Sequence, residues 1–237
     1  MNRQRLALLI VLTLTFVGVS FVYFTDVWND ATTRFRTGLP IPKSILPKEL
    51  LNPEDVVSKG PPRPPVIRPT DPLLSGNASS AVTIIVYGDF QCEYCRDQAQ
   101  AIEEALRLTG SGSDVRVVWR DYPLTNQHPR SLAAASVAAC AAVQGKFREM
   151  HNALFFRSTD LSDTEFLAFA KDIDLDSEKF LICLRDPAIP FRLMKDLEEA
   201  RSLAITSVPL LFVDGEPISG YVDREMLAAI IRRRLTP

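Results

Sequence analysis

From residue 81 onward, the chain alternates between short apolar runs and longer segments with helical spacing, a pattern typical of an α/β domain. Residues 81–87 are mostly β-branched and apolar on both faces, as expected of a buried parallel strand. Apolar side chains recur at helical spacing over residues 93–109, and Gly110 predicts the end of that helix. A second strand is predicted over residues 115–119, which completes a strand–helix–strand unit.

A helical insertion over about residues 126–203 follows this unit. Its helices are predicted over residues 130–144, 146–156, 162–171, 176–184 and 191–203. The chain then returns to a β-hairpin, with strands over residues 210–213 and 216–219, and ends in a helix over residues 223–234. Because Pro217 has no N–H to donate to a sheet, the second strand of this hairpin should lie at a sheet edge.

The N-terminal segment has a different pattern, because Leu6–Phe24 is an apolar and hydroxylic run of 19 residues without a charge. As a helix it would measure about 28 Å, close to the ~30 Å hydrocarbon core of a bilayer. Two arginines precede the run and two aspartates follow it, which places the N-terminus in the cytoplasm. We therefore predict that residues 1–25 form an uncleaved signal anchor in the inner membrane and that the rest of the chain is periplasmic. A cleaved signal peptide is the alternative.

Residues 26–75 are predicted to be an extended extracytoplasmic linker, because ten of the 17 prolines lie between Pro40 and Pro72. Proline removes a backbone donor and favours the polyproline II conformation over helix or sheet. The segment is either a spacer that holds the domain off the membrane or a tail without a specific role. The globular domain is then expected to cover residues 76–237.

Composition and charge narrow the function classes. A hydrophobic content of 46% over 237 residues supports a substantial core. The formal net charge of −2 provides no basic field for phosphates, so nucleic acid is not an expected partner. All four cysteines follow residue 91, which favours one redox domain behind a cysteine-free leader.

The candidate chemistry lies at the junction of the first strand and the first helix, where Cys92 and Cys95 are separated by two residues. The first turn of a helix has backbone N–H groups without intrahelical partners and carries the positive end of the helix dipole. Both effects favour a thiolate over a thiol. We therefore predict that Cys92 is the nucleophile and that Cys95 resolves the disulfide that Cys92 forms.

Four sequence blocks, in order, resemble the DsbA-like family of thioredoxin-domain proteins. They are Asp89-Phe90-x-Cys-x-x-Cys, Arg120-Asp121-Tyr122-Pro123-Leu124, Gln144-Gly145-Lys146-Phe147-Arg148-Glu149-Met150-His151 and Thr206-Ser207-Val208-Pro209. The resemblance covers about residues 72–234. It implies a thioredoxin-like α/β fold with an inserted all-helical subdomain, which in this chain would follow the N-terminal transmembrane helix.

The same resemblance implies further features of the site. The Val208–Pro209 peptide bond would be cis and would present the Val208 backbone to an extended substrate beside the dithiol. Cys140 and Cys183 would form a second disulfide inside the helical subdomain. The alternative is that both are buried free thiols.

Two features of the sequence depart from the family pattern. Glu93 and Tyr94 stand between the cysteines, where proline followed by histidine or tyrosine is usual. A carboxylate beside the sulfur opposes the thiolate, and Tyr94 adds only a hydroxyl, so we expect a pKa for Cys92 above that of the strongest oxidants of the family. Val86, six positions before Cys92, stands where thioredoxin-like proteins often carry a buried acid, and Asp89, Glu93 or water could replace that acid.

These features predict a membrane-anchored thiol–disulfide oxidoreductase that acts on cysteine-containing extracytoplasmic proteins through a mixed-disulfide intermediate. It would need no cofactor beyond the redox-active disulfide of Cys92 and Cys95, but a membrane redox partner would have to reset that pair. The oxidase, isomerase and reductase directions are all compatible with the motif. The alternative is a thioredoxin-fold module that handles copper or binds client proteins. His128 and His151 are the only histidines, and neither is predicted to be catalytic.

Overall fold

The computed structural model of the chain describes residues 64–157 and 160–236. The predicted signal anchor and the first part of the predicted linker, up to residue 63, lie outside these residues. Among the described residues, the helices are too short or too polar for any of them to cross a membrane.

Five strands of the described chain form one mixed sheet in the order β1-β3-β2-β4-β5. They are β1 (Leu73–Ser75), β2 (Val82–Gly88), β3 (Val115–Asp121), β4 (Leu210–Val213) and β5 (Glu216–Ser219). The central strand β2 runs parallel to β3 and antiparallel to β4. The hairpin prediction is confirmed, and β5 lies at an edge because its Pro217 cannot donate to a further strand.

Seven helices accompany the sheet within the described residues. They are α1 (Glu93–Thr109), α2 (Ser131–Val143), α3 (Phe147–Phe156), α4 (Asp163–Asp172), α5 (Ser177–Cys183), α6 (Ala188–Ser202) and α7 (Arg224–Leu235). Helix α1 joins the parallel strands β2 and β3, which confirms the predicted strand–helix–strand unit. Helices α2 to α6 form the predicted insertion, and α7 packs against α1.

A cluster of buried apolar side chains fastens the helical insertion to the sheet. Ile85 and Tyr87 belong to this cluster and lie on one face of β2, since alternate residues of a strand point the same way. Leu197 and Ala200 of α6 complete it from the other side. The last helix of the insertion therefore packs on the sheet that carries the dithiol.

The domain extends further towards the N-terminus than the proline content predicted. Strand β1 pairs antiparallel with β3, with Leu73 opposite Val118, so it belongs to the sheet rather than to the linker. Upstream of it, the carbonyl of Val66 accepts a hydrogen bond of 2.7 Å from the guanidinium of Arg120. These contacts join residues that are far apart in the chain, and local composition gives no sign of them.

Helix α6 also begins earlier than predicted, at Ala188 instead of Phe191. The Asp186 carboxylate accepts a hydrogen bond of 2.8 Å from the Ala188 N–H at the start of the helix. Pro190 falls in the first turn, where a missing N–H leaves no intrahelical bond unmade. The first turn of a helix accommodates proline, so the helix can begin before the predicted start at Phe191.

Candidate active site

The two cysteines lie at the carboxyl end of the central strand, where β2 gives way to α1. Cys92 is the N-cap residue of α1, and its carbonyl accepts hydrogen bonds of 3.1 Å from the N–H groups of Cys95 and Arg96. Cys92 is 8% exposed, whereas Cys95 in the first turn is 2% exposed. Cys92 is therefore the sulfur closer to solvent, as its predicted role requires.

Close packing supports the turn that leads into this helix. A Cβ atom at Gly88, the last residue of β2, would lie 2.3 Å from the ring of Trp119, so only glycine fits there. Trp119 in turn packs against Phe90 in a tilted arrangement and against His151 and Phe155 edge to face, at centroid distances of 5.0, 5.0 and 5.7 Å. His151 is buried in this cluster, and burial lowers its pKa to about 4. The aromatic cluster thus holds the backbone just before Cys92.

The thiol of Cys92 is activated by its partner. A hydrogen bond with the Cys95 thiol is the main reason that the pKa of Cys92 is lowered to about 7. Burial opposes this effect, the backbone N–H of Cys95 strengthens it, and the charge of Asp89 opposes it again. A positive charge on His128 lowers the pKa of Cys92 as well. About half of the Cys92 side chains would therefore be thiolate at pH 7.

The thiol of Cys95 is held in the opposite state. Burial raises its pKa, and the hydrogen bond and charge of Cys92 raise it further. Because the thiolate and not the thiol attacks sulfur, Cys92 is the residue suited to react first. Cys95 must lose a proton before it can resolve a mixed disulfide.

Asp89 is the buried carboxylate of the site, although sequence reasoning named it only as one of three substitutes for a missing acid. It is 2% exposed, and burial raises its pKa. One carboxylate oxygen accepts from the N–H of Gln91 at 2.7 Å. The other accepts from the N–H of Leu124 at 2.7 Å and lies 2.9 Å from Nδ1 of His128.

Glu93 and Tyr94, between the cysteines, are both exposed to solvent. The Glu93 side chain is 76% exposed and forms an ion pair of 3.1 Å with Arg96. Tyr94 is 66% exposed. The carboxylate that opposes the Cys92 thiolate is that of Asp89, so the expectation that assigned this effect to Glu93 is corrected.

The loop before β4 faces the reactive sulfur. The Val208–Pro209 peptide bond is cis, and the carbonyl oxygen of Val208 lies 3.9 Å from Sγ of Cys92. The structure therefore brings together the dithiol and a main-chain acceptor from a segment more than 100 residues later. Sequence patterns alone do not predict this proximity, whereas the family resemblance implied it.

A cavity of about 260 Å³ opens beside Cys92. Its accessible lining is mostly polar and includes the Glu93–Arg96 ion pair; the lining residues are Phe90, Gln91, Cys92, Glu93, Arg96, Leu154, Phe155 and Leu161. Three of these side chains come from the helical insertion and the loop that follows α3.

The other two cysteines form a disulfide inside the helical subdomain. Cys140 of α2 and Cys183 of α5 are bonded, with their Cα atoms 5.7 Å apart. The predicted second disulfide is therefore confirmed, and the alternative of two buried free thiols is wrong. Since the chain has four cysteines, Cys92 and Cys95 are the two free thiols.

Comparisons with known proteins identify a thioredoxin-like domain. The family model described as Thioredoxin matches residues 69–233. A thioredoxin-like oxidoreductase from Silicibacter pomeroyi DSS-3 superposes with a TM-score of 0.63 at 26% identity, over 72% of this chain and 95% of that chain. The thiol-disulfide exchange protein alpha-DsbA2 from Wolbachia pipientis gives a TM-score of 0.61 at 24% identity, over 70% of this chain and 86% of that chain, which is a likeness of fold.

The curated relatives are named Na(+)/H(+) antiporters and are much longer proteins than this chain. Na(+)/H(+) antiporter NhaA 1 from Salinispora arenicola (strain CNS-205) is 34% identical over 166 residues, which are 69% of this chain and 25% of that protein. The chain therefore spans about a quarter of the length of the curated relatives it matches. The matched segment of 166 residues is about as long as the globular domain of this chain.

Proposed function

We propose that this chain, which belongs to the thioredoxin family, is a DsbA-like thiol–disulfide oxidoreductase. It exchanges disulfides with extracytoplasmic proteins through Cys92 and Cys95. The observation that carries the proposal is the asymmetry of the dithiol. Cys92 sits at the helix N-cap with a pKa of about 7, whereas Cys95 is buried and its pKa is raised. Cys92 is therefore suited to attack first, and Cys95 is suited to resolve the mixed disulfide.

Both directions of exchange proceed through the same mixed disulfide. In the reducing direction, the Cys92 thiolate attacks a substrate disulfide and displaces one substrate sulfur as a thiolate. Cys95 then attacks the Cys92 sulfur, forms the Cys92–Cys95 disulfide and displaces the second substrate sulfur. In the oxidising direction these steps run in reverse, and Cys92, with its lowered pKa, is a good leaving group. Each step exchanges one S–S bond for another, so the pair itself is the only redox group the exchange needs.

The substrate would bind in an extended conformation beside Val208. The Val208 carbonyl lies 3.9 Å from the Cys92 sulfur, so a peptide that pairs with this backbone would bring its own sulfur to Cys92. The cavity beside Cys92 would take a neighbouring side chain of the substrate. Both features favour unfolded or flexible protein segments that contain cysteine.

We further propose that the domain acts from the inner membrane, on its periplasmic side. The uncharged run Leu6–Phe24, with arginines before it and aspartates after it, supports a signal anchor of that orientation. A membrane redox partner would then reset the dithiol, and that partner would set the direction of the reaction.

Trapping of mixed disulfides tests this function in cells that produce the full chain. In Cys95→Ser the second attack is blocked, so extracytoplasmic proteins should accumulate as adducts of Cys92 that a reductant releases. Cys92→Ser is the matched control and should form no adducts. A Cys95→Ser chain without adducts would contradict the proposal, and copper bound by the unsubstituted chain in their place would favour the metal-handling alternative.

Acid quenching and alkylation of the unsubstituted chain in the same cells give the direction. A mostly oxidised pair indicates an oxidase, and a mostly reduced pair indicates an isomerase or a reductase.

A further inference from the structure

The cavity beside Cys92 is bordered by charged side chains from the start of α1. Glu93 and Arg96 line it together with Cys92 and form an ion pair of 3.1 Å. Asp97 lies 3.7 Å from the same guanidinium. Among the described residues, Arg96 is the only cation within 4 Å of either carboxylate. Two acidic groups therefore share one basic group, and the cluster keeps a net negative charge.

Glu93 is the member of this cluster that a substrate reaches most easily. Its side chain is 76% exposed, compared with 48% for Asp97 and 34% for Arg96. It follows Cys92 directly in the chain and lines the same cavity. The Arg96 guanidinium donates to Oε1 of Glu93, whereas Oε2 has no partner among the hydrogen bonds of the described residues. One carboxylate oxygen beside Cys92 is therefore available to a donor from a substrate.

The other charges around the cavity do not reverse this sign. The N–H of Arg130 donates to the side chain of Gln91, which lines the cavity, but the Arg130 guanidinium is paired with Asp163. The positive end of the α1 dipole is equivalent to only about half an elementary charge. A cationic group that enters the cavity is therefore attracted, and an anionic group is repelled.

We infer that Glu93 selects substrates that carry lysine or arginine next to the cysteine that reacts with Cys92, an inference that rests on the function proposed above. The substrate cation donates to Oε2 of Glu93 while the neighbouring cysteine forms the mixed disulfide with Cys92. An acidic side chain in the same place meets a like charge, and Arg96 is already shared by two carboxylates. Complementary charge of this kind governs how fast a partner associates and which partner is preferred. Glu93 is thus a specificity residue, and the exchange of disulfides remains the work of the two cysteines.

Short peptides with a pyridyl disulfide on a single cysteine measure this selectivity. The Cys92 thiolate of the reduced full chain attacks the peptide sulfur, and the coloured pyridinethiolate leaves with the electron pair, so the colour reports the first attack alone. The peptides differ only in the two residues that flank the cysteine, which are both lysine, both glutamine or both glutamate. Each rate is divided by the rate of the same peptide with mercaptoethanol, an uncharged thiol, which corrects for the reactivity of the peptide itself.

The readout is the ratio of the corrected rates of the lysine and glutamate peptides, in which any general change in the reactivity of Cys92 cancels. The wild-type chain should prefer the lysine peptide, with the glutamine peptide intermediate. Glu93→Gln should lower the ratio by about fivefold at low salt, the effect of one charge about 4 Å away in water. Arg96→Gln should raise the ratio, because it leaves Glu93 without its counter-charge. Added salt should bring the wild-type ratio closer to one, because exposed charges are screened.

Glu178→Gln is the matched control, because it removes an exposed carboxylate from α5 in the helical subdomain. It should leave the ratio unchanged. An equal fall in Glu178→Gln and Glu93→Gln would assign the effect to the net charge of the chain and would overturn the inference.

The remaining outcomes separate this inference from the function on which it rests. Equal ratios in the wild-type chain and Glu93→Gln, or a wild-type preference for the glutamate peptide, would overturn the role of Glu93 and leave the exchange activity intact. A wild-type chain that releases no more colour than Cys92→Ser from any of the peptides would instead contradict the proposed function itself.

Discussion

The guanidinium of Arg120 donates two hydrogen bonds, of 2.5 and 2.7 Å, to the carboxylate of Asp71, 49 positions earlier in the chain. The two side chains are only 1% and 4% exposed. Arg68 extends the network, because its guanidinium lies 2.7 Å from Asp196 and 3.0 Å from Glu199 on α6. This buried ionic network fixes the segment before β1 to the rest of the domain.

Removal of one partner from this network should destabilise the domain strongly. In Asp71→Asn the buried guanidinium of Arg120 loses its main counter-charge, and breaking a buried ion pair in this way costs about 3 kcal/mol or more. The free energy of unfolding from urea titrations of the full chain measures the loss. Arg157→Gln is the control, because its ion pair with Asp172 is about half exposed and should contribute less than about 1 kcal/mol. An equal loss of unfolding free energy in the two variants would show that burial of the ion pair between Asp71 and Arg120 adds nothing to stability.

The same network explains which parts of the fold could be predicted from the sequence. Helix α1 was predicted with its correct bounds because its signals are local: apolar spacing, and Gly110 with a φ of +63° after the last turn. The segment before β1 was assigned to a linker because Pro69 and Pro72 argue against regular structure. The ion pair between Asp71 and Arg120 fixes that segment to the sheet. No local sequence pattern predicts a contact between two residues so far apart in the chain.

The disulfide of the helical subdomain should support stability without a role in the chemistry. The bond between Cys140 and Cys183 closes a loop with a sequence separation of 43 residues. A cross-link of this kind restricts the unfolded chain and contributes about 2–4 kcal/mol. We expect the double variant Cys140→Ala, Cys183→Ala to lose that amount in urea unfolding, measured with Cys92 and Cys95 in the same oxidation state. Its reduced dithiol should react at the wild-type rate, and a large change in that rate would place the second disulfide in the catalytic path.

Burial of His151 should make the domain sensitive to acid. Burial lowers its pKa to about 4, below the value near 6.5 expected in the unfolded chain. Between these two values the unfolded state binds a proton that the folded state does not, so stability is lost as the pH falls from about 6.5 to 4. The loss from this group alone would be about 3 kcal/mol.

Urea unfolding at pH 7 and at lower pH, with His151→Gln for comparison, checks this effect. The variant should show a smaller loss, and NMR should show that the His151 ring does not titrate near pH 6.5. The chain has only two histidines, so the assignment is simple. A His151 resonance that titrates at its ordinary pH would contradict the prediction.

The active site shows the same division between local and distant information. Cys92 and Cys95 could be found in the sequence because their spacing and their place at a helix start are local features. Asp89 could not be ranked above Glu93, because its partners Leu124 and His128 follow it by 35 and 39 positions. Only the parallel pairing of β2 and β3, which brings the ends of the two strands together, places those partners beside it.

Titration of Cys92 tests the electrostatics of the site directly. The ultraviolet absorbance of the thiolate in the reduced chain should rise with a midpoint at about pH 7, and Cys92→Ser should lack this transition. Cys95→Ala should raise the midpoint, because the hydrogen bond with the Cys95 thiol is the main cause of the lowered pKa. Asp89→Asn should lower the midpoint, because it removes the negative charge that opposes the Cys92 thiolate. A midpoint below about 4, as in the strongest dithiol oxidants, would show that these interactions do not control the sulfur.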